Sequence, residues 1–513
     1  MNRNCSGLAL LTILALAACS TDVVVSPLKV PGGPKFALSS TSGVGNYIVL
    51  MKGSGIAKGF AERVASLGGT VTWAHADAGF ATVSGLSDAA AAQLSATNGV
   101  GQVQRDFDIS LNTPVLPAEA DVSEIGDPTA DSQGNPATGL RYVWQWNMRL
   151  IHADVAWAAG RLGSPSVTVA ILDTGIDYDA PDLTGLVDLS RSVSFMDDYV
   201  LATGEAASDP AKLSDNDVTT TYFPSRNAIS DYNGHGTNVA SQVSSKAFAL
   251  AGVTSRTTLI GVKVLGSNGS GSLGRVLSGV IWAADHGANV ANMSLGSDFP
   301  KSGNGQFVGL INKVFNYAKR KGMLIVVSAG NSAIDLQHNG NEYSTYCDAP
   351  HVVCVSSVGP ATALLDQDEP AYYTNFGRQA LSVAAPGGNA DAAHGFPASA
   401  RPWGNDIASW VWSYCSKTRI GSWTITPTVP PAPPVIPIPN LTVCLAGNRL
   451  SGYIGTSQAA PHVAGLAALL VAEYGPGQPQ TIKNLIEASS VPLVPAAPEY
   501  GRGLINVQKA LGF

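Results

Sequence analysis

From Val463 to Val471 the chain runs Val-Ala-Gly-Leu-Ala-Ala-Leu-Leu-Val, apolar on every side. A helix of this kind offers no face to water and belongs inside a large core. The stretch leading into it, Gly455-Thr456-Ser457-Gln458-Ala459-Ala460-Pro461-His462, is rich in small residues. Ser457 therefore falls where a loop turns into a buried helix. The first turn of a helix carries unpaired N–H groups and a partial positive charge. A hydroxyl placed there can attack a carbonyl while a backbone N–H stabilises the oxyanion. A lone serine at such a point is ordinarily an N-cap, so the reading depends on the rest of the chain.

Two further stretches change it. Ile171-Leu172-Asp173-Thr174-Gly175-Ile176-Asp177 ends an apolar run, and Asn233-Gly234-His235-Gly236-Thr237 opens a helix. With Gly-Thr-Ser457 they resemble the three catalytic boxes of the subtilisin-like serine proteases, the subtilases, in the order Asp, His, Ser found in subtilisin. The resemblance implies an endopeptidase in which Ser457 is the nucleophile, His235 the general base and Asp173 the group that orients the ring. Ser328-Ala329-Gly330-Asn331 resembles the family's oxyanion loop, so Asn331 and the N–H of Ser457 are the implied oxyanion donors. Gly269-Ser270-Gly271 and Ser294-Leu295-Gly296 resemble the two strand edges that pair with substrate backbone, a form of β-augmentation. An α/β-hydrolase esterase is the first alternative. It needs Gly-x-Ser-x-Gly and the order Ser, Asp, His, whereas residues 455–459 are Gly-Thr-Ser-Gln-Ala. An inactive, protease-like binding protein is the second. The presence of all three triad residues together with Asn331 speaks against it.

Apolar strands are expected at 167–172, 258–265, 289–295, 324–328, 352–357 and 381–384, separated by helical patterns such as 273–284. Strands apolar throughout suit a parallel sheet covered on both faces. Strand–helix alternation defines a doubly wound α/β domain, with its sites at the strands' C-terminal ends. Residues 150–157 read as one helix, and the catalytic domain as 141–513.

Before it, residues 46–111 read as a small α+β unit of strands and two helices, and 19–45 and 112–140 as linkers. The unit resembles the inhibitor-type propeptide of subtilases, ending at Val103-Gln104-Arg105-Asp106. That resemblance implies a zymogen that inhibits and then cuts itself near Ser110 to Thr113. Leu111, bulky and apolar, is the expected residue before the cut.

The first 18 residues read as a signal peptide: Arg3, then an apolar stretch from Leu8 to Leu16. Leu16-Ala17-Ala18-Cys19 resembles a lipobox, which implies lipidation of Cys19 and a precursor anchored to, not spanning, the membrane. An exported chain with four further cysteines is expected to form disulfides, and proximity favours Cys347–Cys354 and Cys415–Cys444. The latter would close a Pro-rich insertion, 415–444, around Pro430-Pro431-Ala432-Pro433-Pro434. A net charge of −7 with 13% charged residues argues against a nucleic-acid partner. The expected partners are protein or peptide substrates and the chain's own propeptide, and the chain is expected to be a monomer.

The triad needs no cofactor. Asp182 matches a family calcium ligand, but Lys246-Ala247-Phe248-Ala249-Leu250 lacks the oxygen side chains expected beside it. Structural calcium is left without assigned ligands, and no metal residues are named. The long stretch between Asp173 and His235 carries Asp197, Asp198, Asp209, Asp215 and Asp217 and reads as a solvated acidic loop. Gln458 stands where the family commonly has Met, which implies tolerance of oxidants because an amide forms no sulfoxide.

Overall fold

The fold is that of a computed structural model of the full chain. It describes residues 43–112, 119–125 (as backbone), 131–196, 215, 219, 224–296, 298–344, 346–360, 368–389, 410–419, 448–493 and 497–513. The expected signal peptide, Cys19, most of the first expected linker, Asp197, Asp198, Asp209, Asp217, Thr345, Cys444 and the Pro-rich run lie outside the described residues.

The N-terminal unit contains β1 (Gly45–Met51), β2 (Thr70–His75), β3 (Phe80–Leu86) and β4 (Val100–Arg105), with helices α1 (Phe60–Ser66) and α2 (Asp88–Ser95). Its sheet is antiparallel, in the order β2-β3-β1-β4. The period-2 alternation of β1 divides its side chains between two cores. Tyr47, Val49 and Met51 pack with Phe60, Val64 and Leu94 inside the unit. Ile48 and Leu50 point the other way and join Phe80 in a core shared with the main domain. The sheet is thus sandwiched between its own helices and those of its neighbour. Two short strands follow it: β5 (Asp108–Ser110) and β6 (Glu119–Ile125).

The main domain opens with α3 (Trp146–Leu150) and α4 (Ala153–Ala158), two helices where one was expected. His152 breaks them apart by adopting a left-handed backbone, φ 58°, which interrupts the helical path. The central strands are β7 (Thr168–Asp173), β8 (Val193–Ser194), β9 (Thr258–Lys263), β11 (Val290–Met293), β13 (Leu324–Ser328), β15 (Val352–Val358) and β16 (Val383–Pro386). They form a seven-stranded sheet in the order β16-β15-β13-β11-β7-β9-β8, and its pairings are parallel. Strand β10 (Ser270–Ser272) stands outside it, as do the two-residue strands β12 (Phe299–Pro300) and β14 (Glu342–Tyr343), which pair with each other.

On one face lie α5 (His235–Val243), α8 (Thr456–Tyr474) and α9 (Pro479–Ser489); on the other lie α6 (Leu273–Asp285) and α7 (Gly305–Arg320). Val169, Ile171, Val326 and Val355 serve the first core. Their neighbours Ala170, Leu172, Ile325 and Val327 serve the second. This explains why the strands are apolar throughout: both pleat directions are covered. The fold is a doubly wound α/β domain behind a small α+β unit. Helix α8 lies in the first core, with every residue from Thr456 to Val471 buried, as its all-round apolar sequence requires.

Two expectations are corrected here. The stretch 112–140 carries a strand: β6 pairs antiparallel with β18 (Asn448–Tyr453), which pairs in turn with β17 (Val411–Tyr414). Its polar composition hid a strand that adds to an existing edge. Asp215 is not solvated. It is buried and forms an ion pair with the wholly buried Lys263 at 2.7 Å. Lys263 also donates to the Ser230 carbonyl at 2.6 Å and lies 4.4 Å from the Tyr232 ring centre. A buried ammonium requires such partners, and here the long insertion supplies the counter-charge.

Candidate active site

Asp173 is the last residue of β7 and His235 the first of α5, and the C-terminal end of the sheet brings them together. His235 Nδ1 lies 2.8 Å from Asp173 Oδ1, so the ring's proton is on Nδ1 and Nε2 is left as the basic nitrogen. Both side chains are buried. One carboxylate the sequence analysis did not single out organises this corner. Asp231 accepts from Thr174 Oγ1 at 2.9 Å, from the N–H groups of Asn233 and Gly234 at 3.0 and 2.8 Å, and from Thr237 N and Oγ1 at 2.8 and 2.6 Å. It ties the residue beside Asp173 to the turn that launches His235. An acidic residue four positions before the histidine is the only signal the sequence offers for it.

Ser457 is the second residue of α8, where its N–H is one of the orphan donors of the first turn. Pro461 has no N–H to close the helical bond to the Ser457 carbonyl. Ser294 Oγ takes that place at 2.7 Å. The Ser457 hydroxyl in turn donates to the Ser294 carbonyl at 3.2 Å. Asn331 follows β13. Its Oδ1 accepts from Thr456 N and Thr456 Oγ1, both at 2.8 Å. That fixes the amide orientation and leaves Nδ2 facing the cleft.

The cleft is filled by the chain itself. β5 pairs antiparallel with β10, placing Ser110 opposite Ser270 and Ile109 opposite Gly271. On the other side Ser110 bridges Gly296. Leu111 N donates to the Gly269 carbonyl at 2.9 Å, and Asn331 Nδ2 donates to the Asn112 carbonyl. The edges around 269–271 and 294–296 thus flank one extended segment. The carbonyl at the amide of Asn331 is that of Asn112, not of Leu111. Leu111 instead lies over Gly269, whose missing side chain makes room for it, because alternation along a strand turns consecutive residues to opposite sides.

Asp182 tests the family's calcium. Its carboxylate accepts from the N–H groups of Ala249 and Leu250, each at 3.1 Å, and burial pushes it up to about 7 against those donors. A calcium ion needs oxygens around it, and this loop turns N–H groups inward instead. Asp182 and its surroundings do not fit the ion. Among the described residues no cluster of three or more His, Cys, Asp or Glu side chains stands at metal-binding spacing.

Cys347 and Cys354 form a disulfide. Cys415 is disulfide-bonded as well; its expected partner Cys444 lies outside the described residues. Among the described residues no helix is long and apolar enough to cross a membrane.

Residues 164–504 match the subtilase family. The chain belongs to that family, whose members are serine-type endopeptidases acting on proteins or peptides. It is 30% identical over 335 residues to a thermophilic serine proteinase of Bacillus sp. (strain AK1), a match covering 64% of this chain and 58% of the relative. It is 27% identical over 408 residues to alkaline elastase YaB of Bacillus sp. (strain YaB), covering 79% and 80%. In fold it is similar to the epidermin leader peptide processing protease of Staphylococcus aureus. The TM-score there is 0.63 at 21% identity, over 92% of this chain and 98% of that one. Fervidolysin of Fervidobacterium pennivorans gives 0.60 at 21%, over 93% and 62%.

Proposed function

We propose that this chain is an exported, self-processing serine endopeptidase. Ser457 attacks the carbonyl carbon of the scissile bond as His235 Nε2 takes the hydroxyl proton. Asp173 stabilises the imidazolium. Asn331 Nδ2 and the Ser457 N–H hold the oxyanion. Collapse of the tetrahedral adduct breaks the C–N bond, and the imidazolium passes its proton to the leaving amine. Water then attacks the acyl-enzyme with His235 again as base, which releases the acid product and restores Ser457. Residues 46–112 act as propeptide and inhibitor, and the first cut falls between Asn112 and Thr113.

The observation that carries this reading is the donation from Asn331 Nδ2 to the Asn112 carbonyl, with β5 paired on both sides of the cleft. Residues 1–18 act as signal peptide and Cys19 as a lipid anchor on the precursor. Cutting after Asn112 leaves the lipid on the propeptide and frees the protease.

Serine-directed fluorophosphonate labelling, with N-terminal sequencing of the processed form, tests the proposal. Labelling at Ser457 and a new terminus at Thr113 are the expected results. An unlabelled chain that also leaves casein intact overturns it.

A further inference from the structure

Asn112 does more than present a carbonyl to Asn331. Its side-chain Nδ2 lies 3.2 Å from Ser332 Oγ, on the residue next to the oxyanion donor. Both donor and acceptor come from one loop, and the buried Asn375 clamps it. Asn375 Oδ1 accepts from Ser332 N at 3.1 Å and Ile334 N at 3.0 Å. Its Nδ2 donates to the Ala329 carbonyl at 2.8 Å, and its N–H to the Gly330 carbonyl at 3.0 Å. The groups that meet the Asn112 carbonyl and its side chain are therefore held in one rigid frame, which is what selective recognition needs.

We infer that this enzyme prefers a carboxamide, asparagine above all, immediately before the scissile bond, read by Ser332 Oγ. The inference rests on the proposed protease reading and adds its substrate class. Asparagine and leucine have nearly the same shape. Their discrimination therefore depends on polarity: a leucine there leaves the Ser332 hydroxyl without its partner, whereas the amide satisfies it.

The test uses the full-length chain after self-processing, with peptides spanning Ile-Ser-Leu-X-Thr in which X is Asn or Leu. The wild type should cut the Asn peptide with the higher kcat/KM. Ser332→Ala should lower the Asn-to-Leu ratio by about 3- to 10-fold, the effect of one neutral hydrogen bond. In the chain itself, Asn112→Leu should slow the appearance of the Thr113 terminus by a similar factor. A ratio unchanged in Ser332→Ala, or a wild type that cuts the Leu peptide as well as the Asn peptide, overturns the inference while leaving the protease reading intact. Failure to cut either peptide, with no fluorophosphonate labelling, overturns that reading and the inference with it.

Discussion

The N-terminal unit meets the main domain at two places, and different chemistry operates at each. In the cleft, β5 is held by main-chain pairing to edges of glycine and serine and by the buried Ile109, and the carbonyl of Asn112 is aimed at Asn331. At the docking face, side chains make the contacts. Asp106 accepts from Ser272 Oγ at 2.6 Å and Gly274 N at 2.9 Å at the start of α6. His75 Nε2 lies 2.7 Å from Asp285 Oδ2, and Trp73 meets Phe195 edge-on. Ile48, Leu50 and Phe80 complete a common core. Backbone pairing suits a site that must accept many sequences. Buried side-chain contacts suit a site that must accept one. Outside the position of Asn112 the cleft is thus general, and the docking face is specific to this unit.

The largest effect tests the cleft. Ser457→Ala should lower casein hydrolysis by about 10^4-fold or more, and the chain should remain full-length with residues 46–112 still attached. Processing at a normal rate in this variant would show that another protease makes the cut. Asn331→Ala should cost about 100- to 1000-fold in kcat, as for other oxyanion donors. It should slow self-cleavage likewise, since the same amide meets Asn112. A variant whose kcat holds steady while only KM rises would place Asn331 in ground-state binding instead.

The cleft was legible because its chemistry demands particular residues beside particular glycines. Three short boxes and Ser-Ala-Gly-Asn331 name residues that the fold sets at the ends of β7 and β13 and at the starts of α5 and α8. The register was not legible. Leu111 and Asn112 are adjacent, and only the strand pairing of Ser110 with Ser270 and Gly296 decides which carbonyl reaches Asn331. The sheet was legible from runs apolar on both faces, although strand ends shifted, as at β16. The docking face left almost no trace. Asp106 closes a polar sequence, and nothing local says that it caps a helix more than a hundred and sixty residues away. Lys263 reads as one charge ending an apolar strand, and its partner Asp215 sits in an insertion with no pattern. Long-range polar pairing carries no periodicity for a sequence to display.

The helix that carries Ser457 adds a pH test. His462, a turn further on, is wholly buried. Asn147 Nδ2 lies 2.8 Å from its Nε2, and its Nδ1 lies 2.8 Å from the Gln458 carbonyl. Nε2 must therefore accept and Nδ1 donate, so the ring is held neutral, and burial pulls it down to about 4. An unfolded histidine titrates near 6.5, so between about 6.5 and 4 the unfolded chain binds the extra proton. Stability is present above that window and lost as pH falls through it, by about 3 kcal/mol in all. Urea midpoints from pH 7 to 4, measured on Ser457→Ala to prevent self-digestion, should fall less steeply when His462→Gln is added. Equal slopes would remove His462 from the acid response.

The smallest effects sharpen the docking side. Asp106 is half-buried, and desolvation pushes its carboxyl up against the donors of Ser272 and Gly274. Removing it leaves a hydroxyl and an N–H at the start of α6 without their acceptor. Such a loss costs about 1–3 kcal/mol, so after self-cleavage the N-terminal unit of Asp106→Ala should be released about 5- to 150-fold faster. His75 is a quarter exposed, and its partner Asp285 already holds Lys321 Nζ at 2.7 Å and the Tyr317 hydroxyl at 2.8 Å. An ion pair at a wet rim contributes within about 1 kcal/mol, so His75→Ala should speed release by about 5-fold at most. The lag before casein hydrolysis in freshly processed protein reads both variants. If the two lags shorten equally, the docking face does not discriminate between the helix-capping contact of Asp106 and the rim contact of His75. If neither changes, the unit is held by β5 in the cleft, and the division between a general cleft and a specific face fails.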